Sequence, residues 1–252
     1  MAGHTEITAM KKITAVMLSV LLVLVLVPGL SGCSGSAFRA ISTEVPSTEV
    51  IPGLVGYAAV GDSESLAKEH FGKDLVKKGN TLEYSSGKFL LSFSVKDGNI
   101  ATITYTFTPD AETKRIVKEM AKLCGNSVEE IRAFCQQIKY NNAYSGTDPV
   151  LYGFTNWSGN CFVHAMCYQA LLQYKGYEAQ LVHCVDFTHY WNLVHTSRGG
   201  QTAWWHTDAT PGPLHGPTPT LASDAERYET LQNGYTYGTR DWDRDKWPAN
   251  PY

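Results

Sequence analysis

Three side chains of the kinds used in nucleophilic catalysis occur in a suggestive order. Cys161 directly precedes an apolar helical run, His189 opens a His-Tyr-Trp-Asn block, and Asp208 closes a Trp-Trp-His-Thr-Asp block. A cysteine nucleophile needs a base beside it and a further group that orients the base. The thiol, the imidazole and the carboxylate together therefore predict an enzyme.

Cys161 lies where a helix is predicted to begin. Asn160 or Ser158 suits the N-cap position, which puts the thiol in the first helical turn. Backbone N–H groups and the helix dipole favour negative charge there, and so favour the thiolate. A free cysteine is more often a small buried hydrophobic side chain, so its position alone leaves both interpretations open.

His189 and Asp208 fall on two strands that a predicted turn connects. If the turn is centred between Arg198 and Gly199, the two side chains face each other directly, with Cβ atoms about 5 Å apart. If it is centred one residue later, they lie diagonally but on one face, because the side-chain period of a strand is two. Both registers allow a histidine–aspartate hydrogen bond, whereas a bulge or an odd-length loop would separate the pair.

Tryptophan is frequent around this pair. Trp191, Trp204 and Trp205 flank it in the sequence, and an apolar wall would shield an ion pair from water and strengthen it. Packing in the core is the alternative role, which we expect for at least two of the three.

The elements before Cys161 divide into two groups. A helix is predicted from Ser63 to about Lys78, followed by strands at about Thr81–Val95 and Ile100–Thr108 that an Asp-Gly turn connects. We interpret residues 53–109 as a small α/β unit for packing or binding. Two helices follow, beginning at Pro109-Asp110 and at Ser127, and a loop is predicted over 140–157.

The elements after Asn160 complete the predicted domain. A buried helix stops at Gly176, and strands follow at Tyr177–Val185, Tyr190–His195 and Thr202–Thr207. The tail from Pro211 is predicted to have little regular structure.

The N-terminus has the pattern of a secretory signal. Two lysines precede an apolar run from about Ile13 to Val27, which is shorter than the roughly 20 residues of a membrane-spanning helix. Residues 30–33, Leu-Ser-Gly-Cys, resemble a bacterial lipobox, which implies cleavage before Cys33 and lipidation of its thiol. We therefore predict a signal over 1–33, a flexible tether over 34–52 and a lipid anchor on the extracytoplasmic face of a bacterial membrane; an ordinary secretory peptide is the alternative.

Charge and cysteine count narrow the possible partners. The net charge of −3 gives no reason to expect nucleic acid. The odd number of cysteines after Cys33 suggests one thiol kept unpaired, while the other four form disulfides or remain buried thiols; the five are Cys124, Cys135, Cys161, Cys167 and Cys184. The sequence has no Cys-x-x-Cys pair of the kind that binds zinc and no clustered carboxylate loop of the kind that binds calcium. We therefore predict neither a metal nor another cofactor.

The second half of the chain resembles the transglutaminase-like superfamily, which has a papain-like arrangement. The resemblance rests on Gly159-Asn160-Cys161 with Ala165, on His189–Val194 and on His206–Thr210, with a helical lead-in from about Ala111 and a similar tail over 240–248. It implies an α+β fold for residues 110–252, in which the helix bearing the nucleophile packs on an antiparallel sheet, preceded by the small α/β unit.

The resemblance also implies roles. Cys161 is expected as the nucleophile, His189 as the base and then the acid, and Asp208 as the residue that orients His189. Attack on an amide gives a thioester, which water or an amine then resolves. The oxyanion is expected to bind the backbone N–H of Cys161 and a second, upstream donor, for which the candidates are Asn156, Trp157 and Asn160.

Three functions are compatible with this pattern. Hydrolysis of an amide in a peptide, a protein or the cell wall suits a tethered enzyme best. Protein cross-linking shares the first half of the reaction and differs in whether an amine reaches the thioester before water. A catalytically dormant scaffold on the same fold is the third possibility, because fold alone does not establish activity.

Overall fold

The computed structural model describes residues 38–51, 54, 56–211, 219–232 and 241–252, all within the compact unit Gly35–Tyr252. The helices are α1 (Glu64–Phe71), α2 (Ala111–Ala121), α3 (Val128–Cys135), α4 (Pro149–Asn156), α5 (Cys161–Tyr174) and α6 (Asp224–Gln232). The strands are β1 (Ile41–Val45), β2 (Leu75–Lys78), β3 (Thr81–Ser85), β4 (Phe89–Lys96), β5 (Asn99–Phe107), β6 (Lys139–Tyr140), β7 (Ser158–Gly159), β8 (Glu178–His183), β9 (Tyr190–Arg198) and β10 (Gln201–Thr207).

The N-terminal signal and Cys33, the predicted lipidation site, lie outside the described residues. None of the helices in the described part of the chain is long and apolar enough to cross a membrane.

An antiparallel sheet forms the first half of the described chain. Its strand order is β1-β5-β4-β3-β2, and alternate residues of β4 are buried on one face. Asp97 and Gly98 both have positive φ, at 52° and 79°, which is the conformation that a two-residue hairpin between β4 and β5 requires. The hairpin predicted from the Asp-Gly pair is therefore confirmed.

Three predictions in this half are wrong. The single strand predicted over Thr81–Val95 is two antiparallel strands, β3 and β4. The flexible tether over 34–52 fails from Ile41 onward, because Ile41 and Val45 are fully buried and β1 pairs with β5 along its whole length. Alternating apolar residues outweigh the Ser/Thr/Pro-rich composition there. The helix predicted to reach Lys78 ends at Phe71, because Gly72 adopts a φ of 60° and the chain then continues into β2.

The second sheet carries the candidate catalytic residues. Its order in the described chain is β10-β9-β8, all antiparallel, and α5 packs against β8 and β9. Every residue of α5 from Cys161 to Leu172 is buried, so the helix lies in the core of the fold. This arrangement, a nucleophile-bearing helix on an antiparallel sheet, is the predicted α+β fold class.

Two helices are absent from the sequence-based prediction. The segment 140–157, predicted as a loop, contains α4, which Asp148 caps and Pro149 opens. The tail, predicted to be irregular, contains α6, where Ser223 and Glu226 exchange the hydrogen bonds of a capping box. Both starting signals are present in the sequence.

Contacts join the two halves of the described chain. The predicted boundary at residues 109/110 falls between β5 and α2. Across it, Tyr105 of β5 packs edge-on against Phe162 of α5, with ring centroids 6.0 Å apart. Lys88 pairs with Asp110 at 2.9 Å. The first sheet thus supports the start of the helix that bears Cys161.

Candidate active site

Cys161 is the first residue of α5. Asn160 is its N-cap and accepts a hydrogen bond from the backbone N–H of Val163, at 3.2 Å, so Asn160 rather than Ser158 fills the predicted role. Gly159 is required just before the cap, because a Cβ there would lie 2.4 Å from Val163 Cγ1. The thiol side chain is 9% exposed, at a helix start whose free N–H groups favour negative charge.

His189 lies immediately before β9 and Asp208 immediately after β10. The two-residue turn consists of Gly199 and Gly200, with φ values of 59° and 84°, and it pairs Arg198 with Gln201. The register centred between Arg198 and Gly199 is therefore wrong. The alternative register, which places His189 and Asp208 diagonally, is confirmed.

The diagonal pair makes a direct contact. His189 Nε2 lies 2.7 Å from Asp208 Oδ2, and both side chains are buried. Burial alone would lower the pKa of His189, but the charge and hydrogen bond of Asp208, together with a hydrogen bond to Cys161, raise it overall. Nε2 is the ring nitrogen that faces Asp208, and Nδ1 is the other. The structure thus brings all three predicted residues together.

Asp208 is held from several sides. Its Oδ1 accepts from the backbone N–H of Thr210 at 2.9 Å, and its backbone carbonyl accepts from Arg132 Nε at 2.7 Å. The guanidinium of Arg227, on α6, approaches Oδ2 to 3.5 Å. Arg227 was not predicted, because nothing in the sequence indicates that the tail packs against the end of β10.

A second histidine–aspartate pair joins β10 to α6. His206 Nε2 is 3.1 Å from Asp224 Oδ1, and Trp191 Nε1 donates to His206 Nδ1 at 2.9 Å. With Nδ1 accepting, the ring donates from Nε2. Burial lowers the pKa of His206, against the raising effect of Asp224, so this histidine is neutral near pH 7.

Trp191 connects the two pairs. Its ring stacks on that of His189 at 5.8 Å and 15°, besides donating to His206. Trp205 is buried and donates to the carbonyl of Thr196. Trp204 packs on His195, on an outer part of the sheet. One of the three flanking tryptophans therefore contacts the pair, and the other two are packing residues.

The part of the chain that holds these three side chains matches a known family. Residues 113–209, which contain Cys161, His189 and Asp208, match the model of the transglutaminase-like superfamily. The chain carries a transglutaminase-like domain. The family match supports a cysteine-type enzyme at this coarse level.

Matches to individual proteins are distant. A crystal structure from Cytophaga hutchinsonii, of a protein provisionally named a cysteine protease, is similar at 15% identity with a TM-score of 0.30. The match covers 51% of this chain and 60% of that one, so the chain spans less than two thirds of the relative's length. No curated protein matches the sequence.

The upstream oxyanion candidates of the transglutaminase-like domain have local roles. The Asn156 amide donates to the carbonyl of Tyr152 at 3.1 Å, and Asn160 caps α5. Trp157 ends α4 in the left-handed region, with a φ of 49°, and packs edge-on against Phe134. The choice of the second oxyanion donor among these three stays a prediction.

All five cysteines within the described residues are free and buried, which agrees with the alternative of buried thiols. Burial raises the pKa of four of them, namely Cys124, Cys135, Cys167 and Cys184. No group of three or more His, Cys, Asp and Glu side chains in the described part of the chain could hold a metal ion.

Proposed function

We propose that the chain is a cysteine enzyme that acts on amide bonds through a Cys161–His189–Asp208 triad. The observation that supports it best is the buried 2.7 Å contact between His189 and Asp208, and the Cys161 thiol is among the groups that raise the pKa of the same imidazole. Burial without Asp208 would leave His189 a weaker base, and the raised pKa of His189 suits it to accept a proton from a thiol.

The proposed reaction begins with transfer of the Cys161 proton to His189 Nδ1. The thiolate attacks the amide carbonyl carbon and forms a C–S bond, and the backbone N–H of Cys161 stabilises the oxyanion. When the intermediate collapses, the C–N bond breaks and the leaving amine takes the proton from His189. The result is a thioester on Cys161 and a free amine.

Hydrolysis then releases the acyl group. His189 takes a proton from water, the hydroxyl adds to the thioester carbon, and the C–S bond breaks to give a carboxylic acid and the Cys161 thiol, which regains its proton from His189. Asp208 keeps one ring orientation through both half-reactions, because its Oδ2 stays on Nε2. We favour a peptide, protein or cell-wall amide as substrate, with water as the acceptor.

Alkylation of Cys161 tests the activated thiol. The rate of carbamidomethylation at residue 161, followed by mass spectrometry between pH 5 and 9, should exceed that of a model thiol at neutral pH. It should fall to the model rate in His189→Ala. Cys124→Ala is the matched control, since Cys124 is a buried thiol just after α2 whose pKa burial raises. Model-thiol reactivity in the wild type would contradict the proposal.

Product analysis separates the chemistries. Release of new carboxyl termini from a peptide library, dependent on Cys161, supports hydrolysis. Incorporation of a labelled primary amine supports cross-linking instead. If Cys161 is activated but neither product forms with any library, the dormant-scaffold alternative is favoured.

We also propose that the protein is anchored through lipidated Cys33 on the extracytoplasmic face of a bacterial membrane. The support is the sequence of residues 30–33 alone. Labelled fatty acid should enter the wild-type protein and not Cys33→Ala, and the variant should leave the membrane fraction. Equal labelling of both proteins would contradict the anchor.

A further inference from the structure

Arg227 is a buried cation beside the proposed triad. It lies on α6, its side chain is 1% exposed, and its guanidinium carbon is 4.6 Å from the centre of the Trp191 ring. Arginine does not lose its proton in proteins, so this position is charged at every pH at which the protein folds. A buried charge is costly unless an opposite charge compensates it.

Asp208 is the anion that this cation meets. Arg227 Nη2 lies 3.5 Å from Asp208 Oδ2, the oxygen that His189 Nε2 also contacts at 2.7 Å. Asp208 is 2% exposed, so water contributes little to stabilising its charge. One carboxylate oxygen thus lies between a permanent cation and a titrating one.

The charges of Cys161, His189, Asp208 and Arg227 balance in both protonation states of the site. With Cys161 and His189 both neutral, Asp208 and Arg227 carry opposite charges that cancel. With a thiolate on Cys161 and a proton on His189, the four side chains again sum to zero. Without the guanidinium, Asp208 would depend more on His189 for compensating charge, and His189 would hold its proton more tightly.

We propose that Arg227 is a positioning residue of the site, whose guanidinium keeps Asp208 ionised and its Oδ2 directed at His189. This inference rests on the proposed function, because it assigns Arg227 a part in proton transfer between Cys161 and His189. Arg227 acts through Asp208, whose Oδ2 its guanidinium approaches.

Other charged and titratable groups lie around the His189–Asp208 pair. They are His164 on α5, Arg132 on α3, Cys184 after β8, His206 on β10, Asp224 on α6 and Arg244 in the following segment. Burial lowers the pKa of His164 to about 4, so it is neutral near pH 7. Arg132 binds the backbone carbonyl of Asp208, and His206 pairs with Asp224. Arg227 is therefore the cation placed to set the charge of the Asp208 carboxylate.

The test compares Arg227→Met with Arg227→Lys and a matched control, Arg198→Met. Arg198 also joins the sheet to α6, through a two-point ion pair with Glu226, but that pair contacts α6 on its exposed side. If Arg227 only docks the helix, the two methionine variants should behave alike. The readouts are the pKa of His189, from NMR titration of its ring signals, and the alkylation rate of Cys161.

We expect Arg227→Met to raise the pKa of His189 by about one unit and, because a more basic imidazole takes the thiol proton more readily, to speed alkylation of Cys161 at neutral pH by up to about tenfold. Arg227→Lys, which keeps the charge, should restore most of both quantities, and Arg198→Met should match the wild type. If Arg227→Met does not fold, Arg227→Gln takes its place, with the same two measurements and the same expected changes.

The outcomes separate the two proposals. An unchanged His189 pKa in the uncharged variants, or an equal change in Arg198→Met, would overturn the role of Arg227 and leave the triad intact. Alkylation that is independent of His189 in the wild type would contradict the proposed function. The His189 titration would still decide whether Arg227 acts on the pair.

Discussion

Two histidine–aspartate pairs lie at and beyond the ends of β9 and β10, and they behave differently. His189 and Asp208 are 2.7 Å apart, and His206 and Asp224 are 3.1 Å apart. The pKa of His189 is raised and that of His206 is lowered, although burial opposes the charged form in both. A histidine–aspartate contact alone therefore does not make a base.

The difference comes from the remaining neighbours of each ring. Asp224 keeps part of its side chain in solvent, whereas Asp208 is buried, so the Asp208 charge acts on His189 with less screening. The charges of Arg227 and Arg244 oppose a proton on His206. The second nitrogen of His206 accepts from Trp191, whereas His189 meets the Cys161 thiol. Under the proposed function, the first pair serves proton transfer and the second serves structure.

Replacing each histidine by glutamine should separate the pairs most clearly. His189→Gln removes the proton acceptor of Cys161, so we expect alkylation at neutral pH to slow by about 10³-fold. His206→Gln should change it less than about threefold, because Gln can still hydrogen-bond to Trp191 or Asp224. The measurement is the rate of modification at residue 161 by mass spectrometry. If both variants fold and both lose alkylation rate to the same extent, the two pairs do not differ in function.

Replacing each aspartate by asparagine should give a smaller but parallel contrast. Asp208→Asn keeps the shape but removes the charge that raises the pKa of His189, so we expect about a hundredfold loss in alkylation rate. Asp224→Asn should lose less than about threefold. The thermal midpoint of each variant controls for unfolding. A larger loss of alkylation rate in Asp224→Asn than in Asp208→Asn would show that His206 and Asp224, rather than His189 and Asp208, activate the thiol.

The sequence predicts the first pair because local rules control it. The turn chemistry of Gly199 and Gly200 sets the strand register, and strand alternation then puts His189 and Asp208 on one face. The capping preference of Asn160 likewise places Cys161 at a helix start. Local residue types suffice in these cases.

The second pair and Arg227 were not predicted because they depend on contacts between distant segments. Asp224 and Arg227 reach the sheet only through the docking of α6, and their partners lie 18 and 19 residues earlier in the chain. No sequence period relates a tail helix to the end of a strand. Strand β1 was missed for a similar reason, since it pairs with β5 more than 50 residues later.

The opposite pKa shifts predict opposite effects of pH on stability. His206 binds its proton less readily in the folded state, so its contribution is lost as pH falls below the ordinary value of 6.5. His189 binds its proton more readily, so its contribution is full below 6.5 and is lost as pH rises through its folded pKa. The free energy of unfolding in urea should be measured from pH 5 to 9. Compared with the wild type, it should vary less with pH below 6.5 in His206→Gln, and less with pH above 6.5 in His189→Gln. The same change on the same side in both would contradict the assigned directions.

Trp191→Phe should have the smallest effect and is the sharpest test of whether the two pairs are independent. The change keeps an aromatic ring over His189 and beside Arg227, but it removes the donor to His206 Nδ1. A buried acceptor left without its donor costs about 1–3 kcal/mol, which should appear in the free energy of unfolding. Alkylation of Cys161 should change less than about threefold, because the His189–Asp208 contact does not use the indole nitrogen. If the rate instead falls as far as in Asp208→Asn, Trp191 couples the pairs, and His206 and Asp224 belong to the catalytic unit.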